Sequence, residues 1–310
     1  MIILNCMHMY EKEEISKRKG YKPKANRRFA DCYSKHCCVE VIKMKAQITL
    51  TPPESKRLIA RAVSKMEEVK SAFQKGIILI SLSSTNAYIL EEIIGIKIKK
   101  EKYCSGFIAQ EGTCANSSRN MLKEVAIIDG IVNYLDDARE IIKRMNNGDV
   151  FIKSANALDH NGHAGVFVGD SDSGELGIVI GHIYARKITF LIPTGLEKLI
   201  LNIKDAYEVA GQMEYSYSLG YPVSIFPIEG RVITEIDSLR ILFNTTATLI
   251  GAGGIGGAEG SVTLVLEGKE NNISEAFEYI KSIKHEKTFC PSQNKREIMN
   301  LNYSKGGDDE

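Results

Sequence analysis

Three polar segments of this 310-residue sequence, and one lysine, carry the side chains that could handle an anion or move a proton. The first is Ser81-Leu82-Ser83-Ser84-Thr85-Asn86, which follows the apolar run Ile77–Ile80 and precedes a helical pattern from Ala87 to Ile94. A loop that leaves a strand and enters a helix presents unpaired N–H groups at the positive end of the helix dipole, and small hydroxyl side chains add donors without blocking an anion. Ser81, Ser83, Ser84, Thr85 and Asn86 are therefore expected to bind phosphate or carboxylate; an ordinary turn with a Ser or Thr cap is the alternative. The segment has neither the lysine and glycines of a P-loop nor a G-x-G-x-x-G pattern.

The second segment, Lys153–Gly162, also follows a short apolar run and holds a cation, an amide, a carboxylate and an imidazole. Lys153 could neutralise the same anion and Asn156 could hydrogen-bond it. Asp159 is the candidate acid/base; His160 and His163, beside an Asn-Gly turn, read as loop residues. The third, Gly251–Ser261, is dense in glycine, which makes sense where backbone must adopt positive φ or approach a ligand closely. Gly253, Gly254, Gly256 and Gly257 are the candidate donors of an anion nest, and Glu259 a nucleophile or base beside them. A flexible hairpin connection is the competing reading. Lys198, just past the strand-like Ile188–Ile192 and Pro193, completes the set, either facing the same crevice or lying solvated at a helix start.

These loops need elements to hold them. Apolar spacing predicts a helix over Ser55–Lys75, entered through Pro52 and Pro53, and strands at Ile77–Ile80, Val125–Ile128, Asp149–Ile152 and Ile188–Ile192. Helices are expected at Tyr134–Met145, Leu176–Arg186 and Leu199–Ala210. Strands that alternate with helices in this way predict an α/β fold, a mostly parallel sheet with helices on both faces, because parallel strands need crossover connections. Val223–Pro227 and Arg231–Thr234 read as strands around a turn, Glu235–Phe243 as a helix, Ala247–Ile250 and Ser261–Leu266 as strands, and Ile273–Ile283 as a closing helix. The expected organisation is a basic tail over 1–43, a ligand-binding domain over 44–204, a smaller α+β domain over 205–287 and a polar tail over 288–310.

Composition bounds the function classes. The chain is 44% hydrophobic and 25% charged, ordinary for a globular protein. Its net charge of +1 hides ten Lys/Arg against five Asp/Glu in residues 1–43, which leaves the remainder at about −4. That remainder has no polyanion-binding signature, and the basic tail has no interleaved aromatics for stacking bases, so nucleic acid is not the expected partner. No apolar run is long enough to span a membrane and the first residues lack a signal-peptide pattern, so a cytoplasmic location is expected. Seven cysteines give no even disulfide framework. Cys6, Cys32, Cys37 and Cys38 lie in the tail without paired C-x-x-C spacing, so no metal is expected there. The tail reads as disordered or as sequence ahead of a start at Met44. Sheet edges of such folds are compatible with a homodimer.

Ile80–Ala87 resembles the phosphate loop of the ribose-5-phosphate isomerases, a G-T-G-S-T run before a helix. Asp149–Gly165 resembles their D-G-A-D-E-V-D segment and, more closely, the G-A-D-x-I-x-x-N-G segment of methylthioribose-phosphate isomerases and the related initiation-factor regulatory subunits. Together with the class I coenzyme A transferases these form one Rossmann-like superfamily, and the resemblance covers about residues 59 to 198. It implies a small anionic, phosphorylated metabolite at the strand ends and isomerase- or transferase-type chemistry without a resident cofactor. The family aspartates fall on Lys153 and Asn156, and an amide cannot serve as a general base. The resemblance thus also admits a non-catalytic binding or regulatory protein. Resemblance to the transferase branch implies acyl transfer with coenzyme A, Glu259 acting as nucleophile.

Overall fold

The structure, a computed structural model, describes residues 43–116, 121–171 and 173–291. The expectations placed on residues 1–42 and beyond 291 lie outside the described residues.

The chain opens with β1 (Lys43–Leu50) and then α1 (Pro52–Lys65), whose first turn is closed by a capping box between Thr51 and Glu54. The single helix expected to Lys75 is interrupted: Met66 adopts an extended ψ of 141°, and α2 (Glu67–Gln74) starts anew. Next come β2 (Ile77–Ile80), α3 (Ser84–Ile94) and a hairpin of β3 (Gly106–Ala109) and β4 (Gly112–Ala115). Strand β5 (Glu124–Ile128) turns back at Asp129-Gly130 into β6 (Ile131–Leu135). Both turn residues have positive φ, 49° and 78°, the conformation of a two-residue hairpin turn that suits strand twist. This turn overrides the expected helix at Tyr134–Met145, of which only α4 (Ala138–Ile142) forms.

The remainder runs β7 (Val150–Ile152), β8 (Ala157–Leu158), β9 (Ala164–Val168), α5 (Gly174–Arg186), β10 (Thr189–Pro193), α6 (Ile203–Val209) and β11 (Ser224–Ile228). It closes with β12 (Arg231–Ile233), α7 (Glu235–Phe243), β13 (Thr246–Gly253), β14 (Ser261–Lys269) and α8 (Glu270–Ser282). Leu196–Lys198 is a single 3₁₀ turn, and the helix expected from Leu199 begins only at Ile203.

The central sheet has the order β12-β10-β7-β2-β5-β6. Neighbours among β12, β10, β7 and β2 pair in parallel, whereas β5 and β6 add an antiparallel edge, so the protein is α/β with a mixed sheet. Strand β2 explains why its sequence is apolar throughout. Ile78 and Ile80 face α1, α2 and α3, while Ile77 and Leu79 face α4 and α5 on the other side. Each such side chain contributes roughly 2 kcal/mol by leaving water, and a polar residue on either face would break the layer.

Strand pairing crosses the boundary expected at 204/205 in both directions. β12 joins the central sheet beside β10, and β1 pairs with β14 in a second sheet, β1-β14-β13, backed by α7 and α8. β11 and β12 do not pair with each other: Glu229-Gly230 carries the chain from a small sheet, β11-β9-β8, into the central one. No helix among the described residues is long and apolar enough to cross a membrane.

Candidate functional site

The parallel strands β2, β7, β10 and β12 end on the same side of the sheet, and backbone bonds step from one exit to the next. Ser81 N–H donates to Ile152 O (3.0 Å), Lys153 N–H to Leu191 O (3.2 Å) and Thr194 N–H to Ile233 O (3.0 Å). Ser83 caps α3, its Oγ accepting Asn86 N–H at 3.0 Å. Asn86 itself is buried and donates through Nδ2 to Ser81 O (2.8 Å) and Ile152 O (3.1 Å), so it ties the first loop to β7. Thr85 is buried beside it.

Above these exits lies a cleft of about 400 Å³. Leu82, Ser83 and Ser84 line it from one loop, Lys153 to Asn156 from the next, and Lys198 from the third. One wall is Val166, Phe167, Gly169 and Asp170, at the end of β9. The roof is the β3–β4 hairpin joined to the segment before β11. Tyr221 N–H donates to Thr113 O at 2.8 Å, and the two backbones approach so closely that a Cβ on Gly220 would lie 2.2 Å from Thr113 O. Of the residues expected from sequence, Ser83, Ser84, Lys153, Asn156 and Lys198 thus meet in one cleft.

The rest do not line it. Asp159 is buried, and its carboxylate accepts N–H bonds from Asn161 (2.9 Å), His163 (3.1 Å) and Ile203 (3.2 Å) while facing His163 Nδ1 at 3.0 Å. Burial opposes ionisation, but these donors outweigh it and hold the pKa at about 2. Asp159 is an anchor that pins the β8–β9 turn to the start of α6. Glu259 sits in the connection of the β13–β14 hairpin, accepting Gly257 N–H at 2.9 Å. Gly253, Gly254, Gly256 and Gly257 are exposed and all have positive φ, and a Cβ on Gly254 would strike Ala258 O at 1.8 Å. Backbone geometry of the hairpin accounts for these glycines.

Two carboxylates that sequence reasoning missed lie under the cleft. Lys153 Nζ is 2.9 Å from Glu175 Oε2, and Ser81 Oγ donates to Glu175 at 3.0 Å. Glu124, at the start of β5, is pushed up to about 8 by burial and by the hydrogen-bonded Glu175, with Lys153 only partly offsetting this. At neutral pH Glu124 therefore retains its proton. Lys153 stays charged, because the two glutamates overcome the burial that would neutralise it. Sequence carried little signal for either carboxylate: Glu124 opens an apolar strand, and Glu175, in the first turn of α5, looks like a residue that complements the helix dipole.

Lys198 is held differently. Its Nζ donates to Ala155 O at 2.7 Å, and among the described residues no carboxylate lies within ion-pairing distance. Burial lowers its pKa and Lys56 adds to this, against the opposing pull of Glu197. Nearby, fully buried Glu235 is pushed up to about 7 by burial and by Glu197, and it accepts Leu196 N–H at 2.9 Å.

No family model, curated protein or solved structure matches this chain.

Proposed function

We propose that the cleft binds a small anionic, phosphorylated metabolite and that the protein is an isomerase-type enzyme that moves a proton within it. The observation that carries this reading is the convergence of Ser83, Ser84, Lys153 and Lys198 in one cleft at the carboxyl ends of parallel strands, where open α/β sheets place their ligands. We read the sheet as Rossmann-like on that ground, in keeping with the resemblance of Ile80–Ala87 and Asp149–Gly165 to sugar-phosphate isomerases. The anion lies against Ser83, Ser84 and the start of α3, with Lys198 alongside. Lys153, in contact with Glu175, faces the reacting carbons; it donates to a developing oxyanion and draws its replacement proton through Glu175 from Glu124.

The placement of Asp159 and Glu259 outside the lining favours a second reading, a protein that binds the metabolite without turning it over. Acyl transfer from coenzyme A through Glu259 would require the glycine hairpin to reach a cleft whose lining it does not join.

A thermal-shift screen of sugar phosphates, acyl-coenzyme A compounds and nucleotides tests binding, because a ligand selective for the folded state raises Tm. Phosphorylated sugars should stabilise the protein, and Lys198→Met should weaken the shift. Solvent-deuterium incorporation into the stabilising compound, followed by NMR, tests turnover. Glu124→Gln should slow it by about 100-fold or more. Unchanged exchange in that variant would overturn the proton route, and binding without exchange in the parent would select the non-catalytic reading.

A further inference from the structure

We propose that Lys198 is an imine-forming lysine and that the metabolite is an anionic aldehyde or ketone whose carbonyl carbon this amine attacks. The inference rests on the binding reading above and adds to it the chemical class of the ligand and the identity of the nucleophile.

The geometry that singles out Lys198 is its combination of access and lack of a counter-ion. It lines the cleft with Ser83, Ser84 and Ala155. Its Nζ is aimed by one strong acceptor, Ala155 O at 2.7 Å, and lies outside ion-pairing distance of every carboxylate among the described residues. An ammonium in such surroundings loses hydration without recovering it from an anionic partner, which favours the neutral amine, the nucleophilic form. The groups that act on it come from several elements. Lys56 on α1 disfavours the charge; Cys104, Glu197 and Glu235 favour it, and burial prevails. A neighbouring cation is a recognised way to keep a lysine reactive. Lys153, in the same cleft, has the opposite setting, with Glu175 at 2.9 Å.

The mount is rigid. Leu196 N–H is bound to Glu235 at 2.9 Å, Lys198 N–H to Gly195 O at 3.1 Å, and Thr194 Oγ1 accepts Ala155 N–H at 3.2 Å. The amine and its acceptor therefore stand on the exits of neighbouring strands β10 and β7. A cleft of about 400 Å³ falls in the range that accommodates small ligands and cofactors.

The chemistry balances without a redox partner. The Nζ lone pair forms the C–N bond while the carbonyl π pair moves to oxygen, and a proton passes from nitrogen to that oxygen. A second proton then converts the hydroxyl to water, which leaves as nitrogen forms the C=N bond. The resulting iminium withdraws electrons from the adjacent carbon, the carbon whose proton an isomerase must move.

Pyridoxal 5′-phosphate and glyceraldehyde 3-phosphate, two anionic aldehydes of different size, serve as probes, with borohydride to fix any imine and peptide mapping by mass to locate it. Pyridoxine 5′-phosphate, which keeps the phosphate but has no carbonyl, reports binding alone through Tm. The expected result is about one adduct per chain on Lys198 with at least one aldehyde, suppressed at least tenfold by excess pyridoxine 5′-phosphate. Lys198→Arg should lose the adduct, since a guanidinium forms no imine under these conditions; if that variant fails to fold, the mapped site in the parent decides. A Tm rise with pyridoxine 5′-phosphate but no adduct on Lys198 from either aldehyde would overturn this inference and leave the anion site standing. Absence of any Tm rise with pyridoxine 5′-phosphate and inorganic phosphate alike would overturn both.

Discussion

Lys153 and Lys198 stand at the exits of adjacent strands, β7 and β10, line the same cleft and are each accompanied by two glutamates, yet their amines are held in opposite ways. Lys153 makes a 2.9 Å ion pair with Glu175, which Ser81 also braces. Lys198 has a carbonyl acceptor instead; of its neighbouring glutamates, Glu235 accepts Leu196 N–H, and Glu197 Oε2 has no hydrogen-bond partner among the described residues. The number of nearby carboxylates therefore does not set the state of a buried lysine. What matters is whether one carboxylate reaches hydrogen-bonding distance, since only that contact repays the lost hydration.

The comparison can be broken most severely at Glu175. Glu175→Ala strands the Lys153 ammonium with little solvent access, and removing one partner of such a pair costs about 3–5 kcal/mol; urea denaturation should show a correspondingly lower midpoint. Lys153→Met in that background should recover much of the loss, whereas a double variant no better than Glu175→Ala would show that the pair is not the source. Asp159→Asn tests a carboxylate answered by N–H donors rather than by a lysine. Its pKa is lowered from 3.8 to about 2, so its contribution, on the order of 2 kcal/mol, is fully present above pH 4 and disappears as pH falls toward 2. The variant should lose that much at pH 7 and show a flatter acid limb, with the cleft unaffected.

Glu124 has the reverse sign. Its folded pKa of about 8 exceeds the ordinary glutamate value of 4.5, so the native state keeps a proton that the unfolded chain has released between those values. Stability should decline as pH rises through that window, by at most about 1.4 kcal/mol per pH unit for one group. Glu235, raised to about 7, adds a decline of the same sign up to that pH. Denaturation midpoints measured from pH 5 to 8 should flatten in Glu124→Gln; an unchanged slope would remove the retained proton from the account. Lys198→Met should change stability by less than about 1 kcal/mol, because deleting a charge that no ion pair repays releases a desolvation cost as well as a hydrogen bond. A loss as large as that of Glu175→Ala would erase the contrast between the two lysines. The smallest effect belongs to Glu259→Gln, an exposed hairpin residue expected to alter stability by about 0.5 kcal/mol or less.

Much of the frame was legible in the residues. The apolar runs at Ile77–Ile80 and Ile188–Ile192 announce strands buried on both faces, and the helix expected over Glu235–Phe243 is α7 with those bounds. The serine loop and Lys153 follow from strand exits, so their meeting in one cleft was also within reach. The hairpin at Asp129-Gly130 had a readable signal in that dipeptide between apolar runs, which the helical spacing of Tyr134–Met145 masked. Asp159 and Glu259 were misleading for the same reason as each other: a carboxylate near glycine or asparagine in a loop is as suited to binding the loop's own N–H groups as to chemistry, and here both do so.

Local periodicities and strand exits are written in the order of the residues, because they depend on neighbours within a few positions of the chain. Which charges meet is set by the packing of the folded chain. Glu124 and Glu175 lie far from Lys153 in sequence and reach it through the pairing of β2 with β5 and β7 and the docking of α5. Whether a lysine is paired or left to a carbonyl turns on separations of an ångström or two in a medium of low polarity, a distance that no spacing of residues along a chain encodes.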